Sequence, residues 1–211
     1  MQFEMQREAQ IKVIEKASYI TFELMALSNP DEVDLVVWGP YPTIIKKIIG
    51  ETVGVVRGET FALGIQALNI KTLGGYPWYE SDRMPQLDFF RSKNSIDMVA
   101  PKNEGVLYRV EAARPTPYGS SLQAYSRNRS EARIVEDFDH KKIVAPPYED
   151  GGVMGSKIAL FGCVVDKALE TLGTVEIGEG LPHPMIDGEW VKTSPNAVSY
   201  THLTLPTNRE V

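Results

Sequence analysis

The apolar residues of the chain recur mainly with a period of two. In residues 18–28 and 33–38 they alternate with polar residues, which is typical of strands with one buried face. Pro30 lies between the two segments in a run of turn-forming residues. The pattern predicts a strand, a turn and a second strand. In the first strand, one face would carry Ile20, Phe22, Leu24 and Ala26.

A second pair of strands is predicted at residues 52–56 and 61–68, with Gly58 in the turn between them. One face of the later strand would carry Phe61, Leu63, Ile65 and Ala67. Further short strands are predicted at residues 106–111, 122–126, 133–136, 157–161 and 174–177.

Two short helices are also predicted. One covers residues 43–49 and ends at Gly50, and the other covers residues 165–172 with Gly173 as its C-cap. The pattern becomes irregular from residue 73 to 103 and from 113 to 121. Many short strands with few helices predict a mainly β fold. We expect an antiparallel β-sandwich, supersandwich-like, with one or two short helices.

Composition narrows the classes of partner. The chain has 211 residues and a net charge of −6. This charge argues against a nucleic-acid partner and against an anionic membrane, because both attract basic surfaces. The sequence has no apolar run of roughly 20 residues, and residues 1–8 lack the pattern of a signal peptide. We therefore expect neither a nucleic-acid nor a membrane partner.

The sequence contains no complete catalytic or cofactor motif. Residues 151–157 resemble a phosphate loop but lack its spacing, and Ser120 and Ser121 lack a nucleophile elbow. Cys163, in an apolar run, is predicted to be a buried small hydrophobe. His183 is predicted to be a structural loop residue, and the histidines form no close metal pair. We predict no catalytic, cofactor-binding or metal-ligating residue.

Aromatic residues beside prolines suggest a sugar contact. Sugar rings stack on exposed aromatic faces, and proline-stiffened loops reduce the entropy lost on binding. The alternative is that Trp38 and Trp78 are core or corner residues. The candidate contacts are Tyr76, Trp78, Tyr79, Asp82 and Trp38.

Several segments together resemble the N-terminal region of bacterial α-galactosidase-like glycoside hydrolases. They are residues 33–43, 50–56, 65–77 and 180–190. In that family a β-sandwich precedes a catalytic (β/α)₈ barrel, which carries the catalytic carboxylates. The resemblance implies that this chain is a non-catalytic module. Its implied partners are carbohydrate and a C-terminal catalytic domain, and its implied parent is periplasmic or extracellular.

The resemblance suggests a division of the chain. Residues 1–17 would be an N-terminal extension with a first strand, 18–180 the sandwich, and 181–197 a linker toward the catalytic domain. Residues 198–211 resemble translated sequencing-adaptor sequence and would be a non-native tail, although a genuine terminal strand is the alternative. Two other functions stay open. One is a free-standing carbohydrate-binding module, and the other is a structural or interaction domain.

Overall fold

The computed structural model describes residues 8–75, 112–136, 142–149, 151–186 and 188–191. Within them the chain forms short strands, numbered β1 to β14, and a helix, α1 (Ala168–Gly178), preceded by a 3-10 turn at Val165–Lys167. The strands are β1 (Ala9–Glu15), β2 (Tyr19–Leu27), β3 (Leu35–Thr43), β4 (Ile48–Ile49), β5 (Val55–Arg57), β6 (Phe61–Ala67), β7 (Thr72–Gly74), β8 (Ala113–Thr116), β9 (Gly119–Arg127), β10 (Arg133–Glu136), β11 (Lys142–Ala145), β12 (Lys157–Val164), β13 (Met185–Ile186) and β14 (Glu189–Trp190).

The strands form two main antiparallel sheets. The larger sheet has six strands in the order β1-β2-β12-β6-β5-β4. In the smaller sheet β9 is central, with β3 on one side and β7 and β8 on the other. Among the described strands, those of two hairpins, β10–β11 and β13–β14, pair only within the hairpin. This architecture confirms the predicted fold class, a mainly β, sandwich-like fold with antiparallel sheets.

The six-stranded sheet has an apolar core on each of its faces. One core lies between the two sheets and includes Leu24, Ile158 and Leu122. The other lies between the six-stranded sheet and α1 and includes Ala159 and Leu172. Neighbouring residues 158 and 159 of β12 therefore face different cores, as the alternation of side chains along a strand requires. The described residues therefore form three layers, which are the small sheet, the large sheet and the helix.

Most predicted strands within the described residues are present. They include β2, the β5–β6 pair, the central part of β9, and β10 and β12. The turn at Pro30 also forms, as a 3-10 turn after Asn29 in the left-handed region. However, β2 and β3 belong to different sheets. The turn therefore carries the chain between layers and does not close a hairpin. The strand predicted at 106–111 lies outside the described residues.

The helix predicted at residues 43–49 is wrong. Thr43 is the last residue of β3 and pairs with Ser120, and Ile48–Ile49 form β4 against β5. Between them, the Ile45 amide donates a hydrogen bond to Thr43 Oγ1 at 3.0 Å, and Ile45 packs against the core between the sheets. Cross-strand pairing and burial of β-branched residues outweigh the local helical pattern.

The strand predicted at residues 174–177 is also wrong, because α1 continues through Gly173 to Gly178. Gly173 does not act as a C-cap. It is buried under the ring of Trp190, which occupies the position that a Cβ would need. The glycine is required there for close packing, a role that local sequence does not distinguish from helix termination.

The prediction of irregular structure at 113–121 is wrong as well. These residues form β8 and the start of β9, which are joined by a tight turn at Pro117 and Tyr118. Gly119 lies against the backbone at Thr43 and Ile44, where a side chain would clash. Pairing with β9 thus orders a segment whose prolines suggest a loop.

Candidate functional site

The predicted sugar contacts are only partly within the described structure. Tyr76, Trp78, Tyr79 and Asp82 lie outside the described residues. Trp38 is on β3 and is 7% exposed, with its indole Nε1 donating to Ser156 Oγ at 2.7 Å. Its ring has no exposed face on which a sugar could stack. Trp38 is therefore a core residue, the alternative that the sequence left open.

A buried hydroxyl network surrounds this tryptophan. Ser156 Oγ and Ser126 Oγ are 2.5 Å apart, and Ser126 Oγ donates to Thr72 Oγ1 at 3.1 Å. Thr72 Oγ1 donates to Asn69 Oδ1 at 2.8 Å. Ser126 and Ser156 have no exposed surface, so the network is sealed from solvent. Its hydrogen bonds connect β3, β7 and β9 to Ser156, the residue before β12. The network therefore holds these strands together and has a structural role.

Lys71 holds the glycine-rich loop before β12. It is 5% exposed, and its Nζ donates to the carbonyl oxygens of Gly151 at 2.9 Å and Met154 at 2.5 Å. Asn69 Nδ2 donates to the Gly155 carbonyl at 2.6 Å. A phosphate-binding loop instead presents backbone N–H groups to its ligand. The loop is therefore held to the sandwich through its carbonyl oxygens.

A charged cluster fixes the C-terminal end of α1 to the sheet. Glu179 accepts from Lys157 Nζ at 2.7 Å and from Tyr19 Oη at 3.0 Å. Burial alone would raise the pKa of Glu179, but the hydrogen bonds from Lys157 and Tyr19 and the charges of Lys157 and Lys16 outweigh it and lower the pKa. Burial, with the bond to Glu179, raises the pKa of Tyr19. These groups satisfy one another, so the cluster stabilises the fold.

The histidine, the cysteine and the asparagine of the N-x-S pattern also have partners or packing contacts within the fold. His183 is half-buried, and its Nδ1 lies 2.6 Å from the Leu181 carbonyl, consistent with a structural loop residue. Cys163 is half-buried and packs against the helix-side core. Asn128, in an N-x-S pattern, is 8% exposed and donates from Nδ2 to the Val33 carbonyl at 3.1 Å. Among the described residues, no group of three or more histidine, cysteine, aspartate or glutamate side chains could hold a metal ion.

One surface of the sandwich does stand out. One face of the six-stranded sheet packs on the small sheet. Beyond the area that the small sheet covers, this same face carries exposed and half-buried apolar residues. Phe61 is 46% exposed, Val164 59% and Ile20 38%. We call this surface the open face, and it consists of Ile20, Phe61, Leu63, Leu160, Gly162 and Val164.

The register shows that these residues share one face. Phe61 pairs with Val164, and Leu160 pairs with both Ile20 and Ile65. Ile65 is a member of the core between the sheets. The rings and methyl groups of Phe61 and Leu63 lie over Gly162, which has no side chain to separate them. The open face is therefore a continuous extension of the core.

The sequence predicted part of this arrangement. It placed Phe61, Leu63, Ile65 and Ala67 on one face, but alternation does not show where the opposing sheet ends. That boundary depends on the small sheet, which covers Ile65 (2% exposed) and leaves Phe61 accessible. An apolar surface of this kind suits contact with another apolar surface, because burying it removes hydrocarbon from water.

In the described part of the chain, no helix has the length and apolar composition needed to cross a membrane. Comparison of the chain with protein-family models, curated proteins and solved structures found no match.

Proposed function

We propose that this chain is a non-catalytic β-sandwich module of a carbohydrate-active enzyme, a glycoside hydrolase. In this proposal it supports a (β/α)₈ catalytic barrel that the chain itself does not contain, and residues 76–82 contribute to the sugar pocket. The resemblance of residues 33–43, 50–56, 65–77 and 180–190 to such proteins supports the enzyme class. The observation that carries the supporting role is the open face.

Exposed apolar side chains are common singly, but contiguous ones on a sheet face are typical of contact surfaces. Phe61 and Val164 are directly paired, and both remain largely accessible. Covering such a surface contributes about 25 cal/mol for each Å² of apolar area removed from water. This contribution would stabilise the contact between the sandwich and a second domain packed on it.

The described polar groups support a non-catalytic role. Glu179 is engaged with Lys157 and Tyr19, and the hydroxyls of Ser126 and Ser156 are sealed in the core. A glycosidase needs two carboxyl groups facing a sugar across a space of roughly 5–10 Å. Because the resemblance places both catalytic carboxylates on the barrel, we expect no turnover of aryl glycosides by the isolated chain.

The role of the open face is tested by substituting Phe61 and Val164 together with serine. In the isolated chain the double variant should lower the melting temperature less than in the parent enzyme, because Phe61 is already 46% exposed and Val164 59% exposed. In the parent enzyme it should lower both the melting temperature and the activity. Val37→Ser is a matched control, because Val37 is 42% exposed on the small sheet. Equal destabilisation of the isolated chain and the parent would contradict the proposal.

A free-standing carbohydrate-binding module is the second candidate, and Tyr118 is the observation that favours it. Tyr118 is 84% exposed in the turn between β8 and β9, and Ile44, whose backbone lies against Gly119, is 88% exposed. Titration of the chain with sugars, followed by tryptophan and tyrosine fluorescence, tests this function. Tyr118→Ala and Trp78→Ala would show which aromatic residue contacts the sugar. Strong binding to the isolated chain would favour the module, and the absence of binding would exclude it.

A further inference from the structure

The segment after α1 is attached to the body of the sandwich at two apolar points. Leu181 follows the helix, and its amide donates to the Glu176 carbonyl at 2.8 Å while its side chain packs against the helix-side core. At the other end, Trp190 is 5% exposed and covers Gly173 in the middle of α1. Between these points, β13 and β14 pair only with each other.

Among the described residues of this segment, Trp190 is the buried one, and the others are exposed or half-buried. Met185 is 48% exposed, and Gly188 and Glu189 are also exposed. The Val191 amide donates back to the Pro184 carbonyl at 3.0 Å, which closes the hairpin on itself. The Trp190 ring brings the end of the hairpin onto the helix, and it fits there because residue 173 has no side chain.

We propose that residues 181–186 and 188–191 form a clasp in which Trp190, packed on Gly173, fixes the direction in which the chain leaves the sandwich. This inference rests on the proposed function in one respect. If a catalytic domain follows, Trp190 is a positioning residue that holds the two domains in a fixed relative orientation. The clasp itself is a property of this chain and is testable without a second domain.

The first test is hydrogen–deuterium exchange of the full chain. Gly173→Leu fills the space under the Trp190 ring, and Trp190→Ala removes the ring without creating a clash. Both variants should increase exchange at residues 185–190 at least tenfold, with little change at the amides of β9 and β12. Thr174→Leu is the matched control, because the same side chain is added at the next, exposed position of α1. Unchanged protection of residues 185–190 in Trp190→Ala would overturn the proposal, whether or not Gly173→Leu folds.

The second test measures orientation directly. Spin labels at Lys12→Cys and Met185→Cys, in a Cys163→Ser background, report the distance between the sheet edge and the hairpin. We expect a narrow distance distribution that broadens in Trp190→Ala. An equally broad distribution with Trp190 present would overturn the clasp. Failure of the second-domain contact at the open face would leave both results unchanged, so the two proposals fail separately.

Discussion

Trp38 and Ser156, 118 residues apart in sequence, are joined by a hydrogen bond of 2.7 Å from indole Nε1 to hydroxyl Oγ. The bond is buried and connects the small sheet to the end of the loop that precedes β12. It explains why an aromatic residue beside two prolines, which suggests a surface contact in sequence, is a core residue in the fold.

Removing the Ser156 hydroxyl should therefore destabilise the chain. Ser156→Ala leaves the Trp38 N–H in the core without its acceptor and takes a partner from Ser126, and such losses cost about 1–3 kcal/mol. Urea denaturation measures the free energy of unfolding. Thr60→Ala, which removes an exposed hydroxyl, is the control and should change stability by less than about 0.5 kcal/mol. Equal effects of the two substitutions would show that the buried network is not stabilising.

The Glu179 cluster should make stability depend on pH at both extremes. Because the pKa of Glu179 is lowered in the folded state, its contribution is present at neutral pH and is lost as the pH falls below the ordinary glutamate pKa of about 4.3 and through the lower folded value. Because the pKa of Tyr19 is raised, its contribution is present below about pH 10 and is lost as the pH rises through the folded value.

Glu179→Gln tests this pH dependence. It should cost about 1–3 kcal/mol at pH 7, since the side chain is 8% exposed and accepts bonds from Lys157 and Tyr19. It should also flatten the decrease in stability at acidic pH. Glu170→Gln is the control, because Glu170 forms a solvent-exposed ion pair with Lys167. Melting curves from pH 3 to 11 supply the measurement, and an unchanged acid limb in Glu179→Gln would refute this role.

The turn at Pro117 and Tyr118 should not tolerate a side chain at the following position. In Gly119→Ala, the new methyl group meets the backbone at Thr43 and Ile44, which is anchored by the pairing of β3 with β9. Overpacking of this kind costs about 1–3 kcal/mol. Tyr118→Ala, at an 84% exposed position in the same turn, is the comparison. Calorimetric melting should show a decrease for the glycine variant alone.

Asn128 should be incompatible with glycosylation in the folded chain. Its Oδ1 accepts from the Ser130 amide at 3.0 Å and from Ser130 Oγ at 2.8 Å, while Nδ2 donates to Val33. A glycan would replace one of the two Nδ2 hydrogens at a position that is 8% exposed, so it would have to displace the atoms packed around it. After expression through a eukaryotic secretory pathway, any fraction glycosylated at Asn128 should melt at a lower temperature than the unmodified fraction. A glycosylated fraction of unchanged melting temperature would contradict the observed burial.

The sequence predicted the sandwich because alternation reports directly on half-buried strands. Ile158 and Ala159 show the limit of that signal, since both are apolar and face two different cores. Local patterns failed where distant residues decide the outcome. Gly173 lies within a helix and packs under the Trp190 ring, and Thr43 lies in a strand in which it pairs with Ser120. The open face was predictable as a strand face, but its exposure depends on where the small sheet ends.

The supporting role of the sandwich is tested most directly by the sequence of the source gene downstream of the Ala197 codon. We predict an in-frame continuation, in place of the codons for residues 198–211, that encodes a (β/α)₈ barrel with two carboxylates at the C-terminal ends of its strands. A stop codon there, or a continuation without such a barrel, would contradict the proposal that this chain is a module of a glycoside hydrolase.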